Sequence, residues 1–157
     1  MTLATQRILI IGGTSGFGLA VARQALQQGA HVHVVGHTSA HVTSAVGELS
    51  AVGSVSGSAL DAQQESALAA LLSRHQNFDH VLSFLGGAMG GGFLDNSVAA
   101  IRATVEAKFF ANLQLVQLAQ SHLQPHGSIV LTSGAGGHPY DASGAIIGNQ
   151  AINTLVA

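Results

Sequence analysis

The sequence predicts an α/β domain: a doubly wound parallel sheet with helices on both faces. Three observations carry this. Short apolar runs alternate with helical stretches of about 10–15 residues, the pattern of repeated βαβ units. The composition is 47% hydrophobic and 8% charged, with 20 glycines and two prolines in 157 residues. That suits buried parallel strands under tightly packed helices and excludes a disordered chain. The glycines cluster at the carboxyl ends of the first, fourth and fifth strands, where ligands bind in an open α/β sheet.

The elements follow in order. "RILII", Arg7 to Ile11, is an apolar run ending in glycines and reads as a buried strand. A helix is expected from about Ser15 to Gln28, with Phe17, Leu19, Ala20, Ala22 and Leu26 on helical spacing and Gly29 as its stop. "HVHVV", His31 to Val35, is the second strand, and a weak helix from His41 to Leu49 follows. "VGSVSG" is a poor third strand leading to Asp61, then a helix runs from Ala62 to His75. "DHVLSFL", Asp79 to Leu85, is the fourth strand, again ending in glycines. One long helical region spans Ser97 to His122, "GSIVLTS" (Gly127 to Ser133) is the fifth strand, and Ala145 to Ala157 starts a last helix. Right-handed crossovers leave few topologies for this order. No repeat or linker marks a second domain, so residues 1–157 read as one unit.

Charge and composition exclude several functions. The net charge is −2 without a basic block, so neither nucleic acid nor an anionic membrane is an expected partner. No apolar run approaches the ~20 residues of a spanning helix, and no basic-then-apolar leader is present. Cysteine is absent, which removes disulfide and thiol chemistry. A cytoplasmic protein is expected. Of the nine histidines, His31 and His33 share a strand face, with His37 and His41 close behind. No Cys, Asp or Glu completes a ligand set, so no metal is expected and the histidines read as scattered surface groups.

"IIGGTSGFGLAVA" is the strongest motif. Gly12, Gly16 and Gly18 stand between a strand and a helix as G-x-x-x-G-x-G. Gly12 permits the turn off the strand, Gly16 admits a pyrophosphate close to the backbone, and Gly18 lets the helix pack on the sheet. The free N–H groups at the helix start then face phosphate. It reads as a dinucleotide-binding loop rather than a glycine-rich turn without a ligand, with Thr14, Ser15 and Phe17 among its remaining positions.

The spacing resembles the short-chain dehydrogenase/reductase family, and the resemblance runs the length of the chain. It implies a Rossmann-type fold whose last strands are absent here. It implies that Asp61, with Ala62 beside it, bonds the adenine amino group. It sets Ser83, Phe84, Leu85 and Gly86 where the family has N-N-A-G, giving Leu85, Gly86 and Gly87 to the cofactor. "GSIVLTSG" resembles the strand that delivers the catalytic serine, Ser133. Where many dehydrogenases carry an acidic residue at the end of the second strand, this chain has Gly36, followed by His37 and Thr38. No carboxylate there repels a 2′-phosphate, so NADP is favoured over NAD.

Family members reduce a carbonyl with a Y-x-x-x-K pair, a serine and a helix asparagine. The pair is missing. Tyr140, the one tyrosine, is followed four places on by Gly144 and lies too soon after Ser133. Counting from Ser133 puts Ile146 and Gln150 in the two slots, whereas aligning on "NQAINTL" puts Ala145 and Asn149 there. Tyr140 is either a substitute acid or a loop aromatic. Lys108, the one lysine, falls near the family's helix asparagine and could polarise a carbonyl, or else pack its stem and pair with Glu106 or Asp95. The expected activity is NADP(H)-dependent hydride transfer on a small carbonyl or alcohol, with Ser133, Lys108 and Tyr140 as catalytic candidates. The rival is a dinucleotide-binding protein without catalysis. The resemblance also implies a homodimer or homotetramer formed through the long helix and the last one.

Overall fold

β1 (Arg7–Ile11) shows why the sheet is covered on both sides. Its alternate residues enter two different cores. Leu9 and Ile11 point to one face with Leu68, Leu72, Val81 and Leu115. Ile8 and Ile10 point to the other with Ala22, Leu26, Val32, Val34 and Leu49. A strand buried on both faces reads as a continuous apolar run, and "RILII" is one.

The computed structural model describes residues 3–86, 89–134 and 146–157. After β1 come α1 (Gly16–Gln27), β2 (His31–Gly36), α2 (Ser39–Leu49), β3 (Val55–Ala59), α3 (Glu65–Arg74) and β4 (Phe78–Ser83). Then follow α4 (Val98–Val105), a π-helical turn (Glu106–Phe110), α5 (Ala111–Ala119), a 3₁₀ turn (Gln120–His122), β5 (Leu123–Leu131) and α6 (Ile146–Leu155). The five strands pair in parallel in the order β3-β2-β1-β4-β5. The chain therefore starts mid-sheet, winds to one edge, and crosses back to β4. The reversal lies between β1 and β4, the place where an open α/β sheet leaves a ligand crevice.

Two expected elements differ. The long helix is not uniform: a π turn interrupts it at Glu106–Phe110, around Lys108. The fifth strand begins earlier than Gly127. Phe78 pairs with Leu123 and His80 with Ser128, so the ladder slips between them. The extra residues of "QPHG" are taken up as a bulge with His126 at φ 68°. Pro125 and Gly127 hide this edge strand from its own pattern.

His33 corrects the surface reading of the histidines. It is 6% exposed, on β2. Its Nδ1 lies 2.7 Å from Ser56 Oγ and its Nε2 2.9 Å from Ser58 Oγ, both on β3. Burial, and then the neighbouring His75, lower its pKa to about 4. A base whose folded pKa is depressed stays neutral in the fold but takes a proton when unfolded. Stability is therefore full above pH ~6.5 and is lost as the pH falls toward 4, by a few kcal/mol in all. Urea titrations at pH 7.5 and 4.5 check this: the gap between them should shrink markedly in His33→Gln.

Candidate active site

The loop leaving β1 is shaped by backbone contact. Gly12 has φ 79° and hangs from β2 through its N–H to the Val35 carbonyl at 2.9 Å. A Cβ on Gly18 would stand 2.1 Å from the Gly12 carbonyl oxygen, so α1 starts against the turn with no room for a side chain. A Cβ on Gly16 would meet nothing within 4 Å. That face of the loop is open. Ser15 is the N-cap of α1, and its side chain makes no cap bond. The first N–H groups of the helix are left without a cap, and Ser15 lines the adjoining cavity, a donor set that suits a pyrophosphate.

Two cavities meet at Gly12. The smaller, about 170 Å³, is lined by Gly36, His37, Asp61, Ala62 and Leu85 among others. Asp61 is held by a local turn, its Oδ1 accepting from the Gln63 N–H at 3.0 Å. Gly36 is small because Thr14 needs the space: a Cβ there would lie 2.6 Å from Thr14 Cγ2. Thr38 caps α2 by accepting from the His41 N–H at 3.3 Å. The larger cavity, about 590 Å³, runs from Gly12, Ser15, Phe17 and Gly18 past Phe84 and Gly86 to Lys108, Thr132 and Ser133. Phe17 is 83% exposed at its rim.

Lys108 enters this cavity between two glycines. A Cβ on Gly86, at φ 110°, would stand 2.3 Å from Lys108 Cδ, and one on Gly148 would stand 3.0 Å from Lys108 Cγ. Its Nζ donates to the Leu85 carbonyl at 3.3 Å, and no carboxylate pairs with it among the described residues. Burial lowers its pKa. A closed hydrogen-bond circuit fixes its backbone. The Leu85 N–H donates to Ser83 Oγ at 3.3 Å, Ser83 Oγ donates to Asn112 Oδ1 at 2.5 Å, and Asn112 Nδ2 donates to the Lys108 carbonyl at 2.5 Å. Ser83 and Asn112 are each 1% exposed. The π turn is where Asn112 takes up that carbonyl, as irregular helix turns at functional sites commonly allow.

The family model of short chain dehydrogenases matches residues 6–145. The chain belongs to that family. A short-chain dehydrogenase/reductase of Gibberella fujikuroi, fsr5, is 32% identical over 150 residues, covering 86% of this chain and 56% of its own length. The uncharacterized oxidoreductase YvrD of Bacillus subtilis is 38% identical over 74 residues, 47% of this chain and 28% of its own. Among solved structures, a short-chain type dehydrogenase/reductase from Mycobacterium ulcerans has a TM-score of 0.90 at 23% identity, covering 99% of this chain and 61% of that one. The RhlG/NADP active-site complex from Pseudomonas aeruginosa has a TM-score of 0.86 at 17% identity, covering 98% of this chain and 65% of that one. These likenesses show the fold. The chain spans less than two thirds of each of these proteins.

Set against the short-chain dehydrogenase pattern, the expected residues divide. Gly12, Ser15, Phe17, Gly18, Gly86, Lys108 and Ser133 line one cavity, and Gly36, His37, Asp61, Ala62 and Leu85 the adjoining one. Gly87 and Tyr140 lie outside the described residues. Lys108 does not take either expected carboxylate: Asp95 Oδ2 accepts instead from the Gly92 N–H at 2.7 Å. The residue sequence reasoning underrated is Asn149, which is buried on α6. Its Oδ1 accepts from the Gly134 N–H at 3.0 Å, and its backbone carbonyl accepts from Ser133 Oγ at 3.3 Å. It ties the loop after β5 to α6 and so aims Ser133. Asn112 was missed altogether: it stands four residues after the lysine, in a helix that also carries Gln114 and Gln117, so its type alone does not single it out.

Proposed function

We propose that this protein is an NADP(H)-dependent oxidoreductase acting on a small carbonyl or alcohol. The observation that carries the reading is Lys108, threaded between Gly86 and Gly148 into the same cavity that begins at the phosphate loop and ends at Ser133. The loop fits the cofactor: the space beside Gly16 is open, and unpaired donors at the start of α1 surround it. Gly12, Thr14, Ser15, Gly16, Phe17 and Gly18 would hold the pyrophosphate, Asp61 and Ala62 the adenine, and Leu85 and Gly86 the nicotinamide side. A nicotinamide bound there supplies or accepts the hydride. The chain's own residues then act on the substrate oxygen. Ser133 Oγ turns from the Asn149 carbonyl to donate a hydrogen bond to it. The Lys108 ammonium donates the proton that the missing tyrosine gives in other members of the family.

NADP is the favoured form. The end of β2 carries Gly36, His37 and Thr38, without a carboxylate, and α2 presents its N-terminus with no acidic residue in its first turn. The Pseudomonas neighbour is itself an NADP complex. NADPH is expected to bind at least about tenfold more tightly than NADH, as one charge-assisted contact provides. His37→Asp should reverse that order, and calorimetric titration of both cofactors checks it.

The deciding assay is NADPH consumption against aldehydes, ketones and quinones. Tight binding with no turnover of any class would favour a non-catalytic dinucleotide-binding protein, a reading that the absent Y-x-x-x-K supports. Self-association through the α4–α5 and α6 surfaces belongs to the same proposal. Val98, Phe110, Ile147 and Val156 stand exposed there, and light scattering would reveal a dimer or tetramer. A cytoplasmic location accords with this reading; among the described residues no helix is long and apolar enough to cross a membrane.

A further inference from the structure

At the pole of the sheet opposite the phosphate loop, the amino ends of β1, β2 and β3 and the end of α3 enclose another cavity, about 190 Å³. Its polar walls are Arg7, His31, His33, Ser54, Ser56 and His75, with Phe78 as an apolar floor. No carboxylate is among these lining residues. We infer that this cavity is a binding site for a small tetrahedral oxyanion, a phosphate or the head of a phosphomonoester.

Arg7 is the anchor. Its guanidinium carbon sits 5.7 Å from the centroid of the Phe78 ring, which holds the planar fork at the cavity wall. No ion pair engages it among the described residues. The nearby acid, Asp79 of β4, is turned to the Arg7 backbone and accepts from its N–H at 2.7 Å. A guanidinium without a carboxylate partner matches two oxygens of a tetrahedral anion. His75 lies against His33 with ring centroids 4.3 Å apart. Both nitrogens of His33 face β3 serines, so His33 builds the wall and leaves His75, His31 and the Ser54 hydroxyl as further donors.

The local potential has the right sign. Burial lowers the His75 pKa first, and then the positive charges of Arg74 and Arg7 lower it further. The burial part of that lowering is neutral in sign, but the part from Arg74 and Arg7 reports a positive potential, which attracts an anion. The carboxyl-terminal dipole of α3 points the other way, but Arg74 in its last turn offsets it. The volume admits a phosphate with a few more atoms.

The test is a titration with sodium sulfate, whose charge does not change near neutrality, at constant ionic strength set by chloride. The His33 and His75 imidazole resonances report this cavity, and the Gly16 amide reports the phosphate loop separately. Saturable shifts of the imidazoles are expected, weakened at least tenfold in Arg7→Gln while the Gly16 response is unchanged. Should Arg7→Gln fail to fold, His31→Ala, at an exposed strand end, is expected to weaken the same shifts severalfold. Repeating the titration with inorganic phosphate and with glycerol phosphate separates the free ion from a monoester. Shifts that rise linearly, match those of chloride, or persist in the variants overturn the inference. Neither Arg7 nor His31 touches the cofactor cavities, so NADPH affinity in these variants tests the oxidoreductase reading independently.

Discussion

Replacing Lys108 with methionine is expected to lower turnover by about 100- to 10,000-fold, the usual contribution of a positioned proton donor, while NADPH affinity changes little. Methionine keeps most of the unbranched stem, so the slot between Gly86 and Gly148 stays filled and the ammonium is the main loss. The pH dependence gives a second readout with two opposite signs. Burial lowers the Lys108 pKa, so the proton leaves at a lower pH than from a free lysine. Carbonyl reduction needs the protonated form and should fall as the pH rises through that lowered pKa. Stability should rise over the same window, because between the folded and unfolded pKa values the unfolded chain binds more protons. A merely structural lysine would give the stability trend without the rate trend. Unchanged turnover in Lys108→Met, with cofactor still bound, would remove Lys108 from the chemistry.

The fold was legible because each of its determinants is local. "RILII" and "HVHVV" are apolar runs of strand length, and the glycines after β1 and β4 mark the ends that carry the site. The glycine spacing alone placed the tight loop between β1 and α1, since backbone contacts such as Gly18 against Gly12 admit no other residue. What stayed hidden depends on partners far apart in the chain. The ring from Leu85 through Ser83 and Asn112 to Lys108 joins residues more than twenty positions apart. Nothing in "KFFANLQ" alone says that its asparagine turns back on the lysine carbonyl. Asn149 was seen as an occupant of the family's lysine slot, but its hold on Ser133 and Gly134 needs β5 and α6 brought side by side. His33 read as a surface group because its burial comes from α3 and β3. β5 was placed late because a bulge inside a strand breaks the alternation by which strands are read.

Two glycines of one motif should fail in different ways, and the contrast separates folding from cofactor binding. In Gly18→Ala the new methyl overlaps the Gly12 carbonyl oxygen, a backbone atom that β2 holds through the Gly12 N–H. Neither side can yield cheaply, so a loss of about 3 kcal/mol or more is expected, or roughly 6–12 °C of melting temperature for a chain of this size. In Gly16→Ala the methyl meets no atom of the free protein. Its only intrinsic penalty is a φ of 53°, which costs an alanine about 1 kcal/mol. The protein should therefore fold almost normally, but its methyl would occupy the space proposed for the pyrophosphate. NADPH affinity should fall at least about tenfold, the equivalent of 1.4 kcal/mol. Thermal melts with and without NADPH read both effects together. Gly18→Ala should melt early but still gain stability from the cofactor in whatever fraction folds, because ligand stabilises any state that binds it. Gly16→Ala should melt near the parent temperature and gain little. If Gly16→Ala kept the full NADPH-induced shift, the open face of the loop would not be the pyrophosphate site, and the orphan N–H groups at the start of α1 would need another ligand.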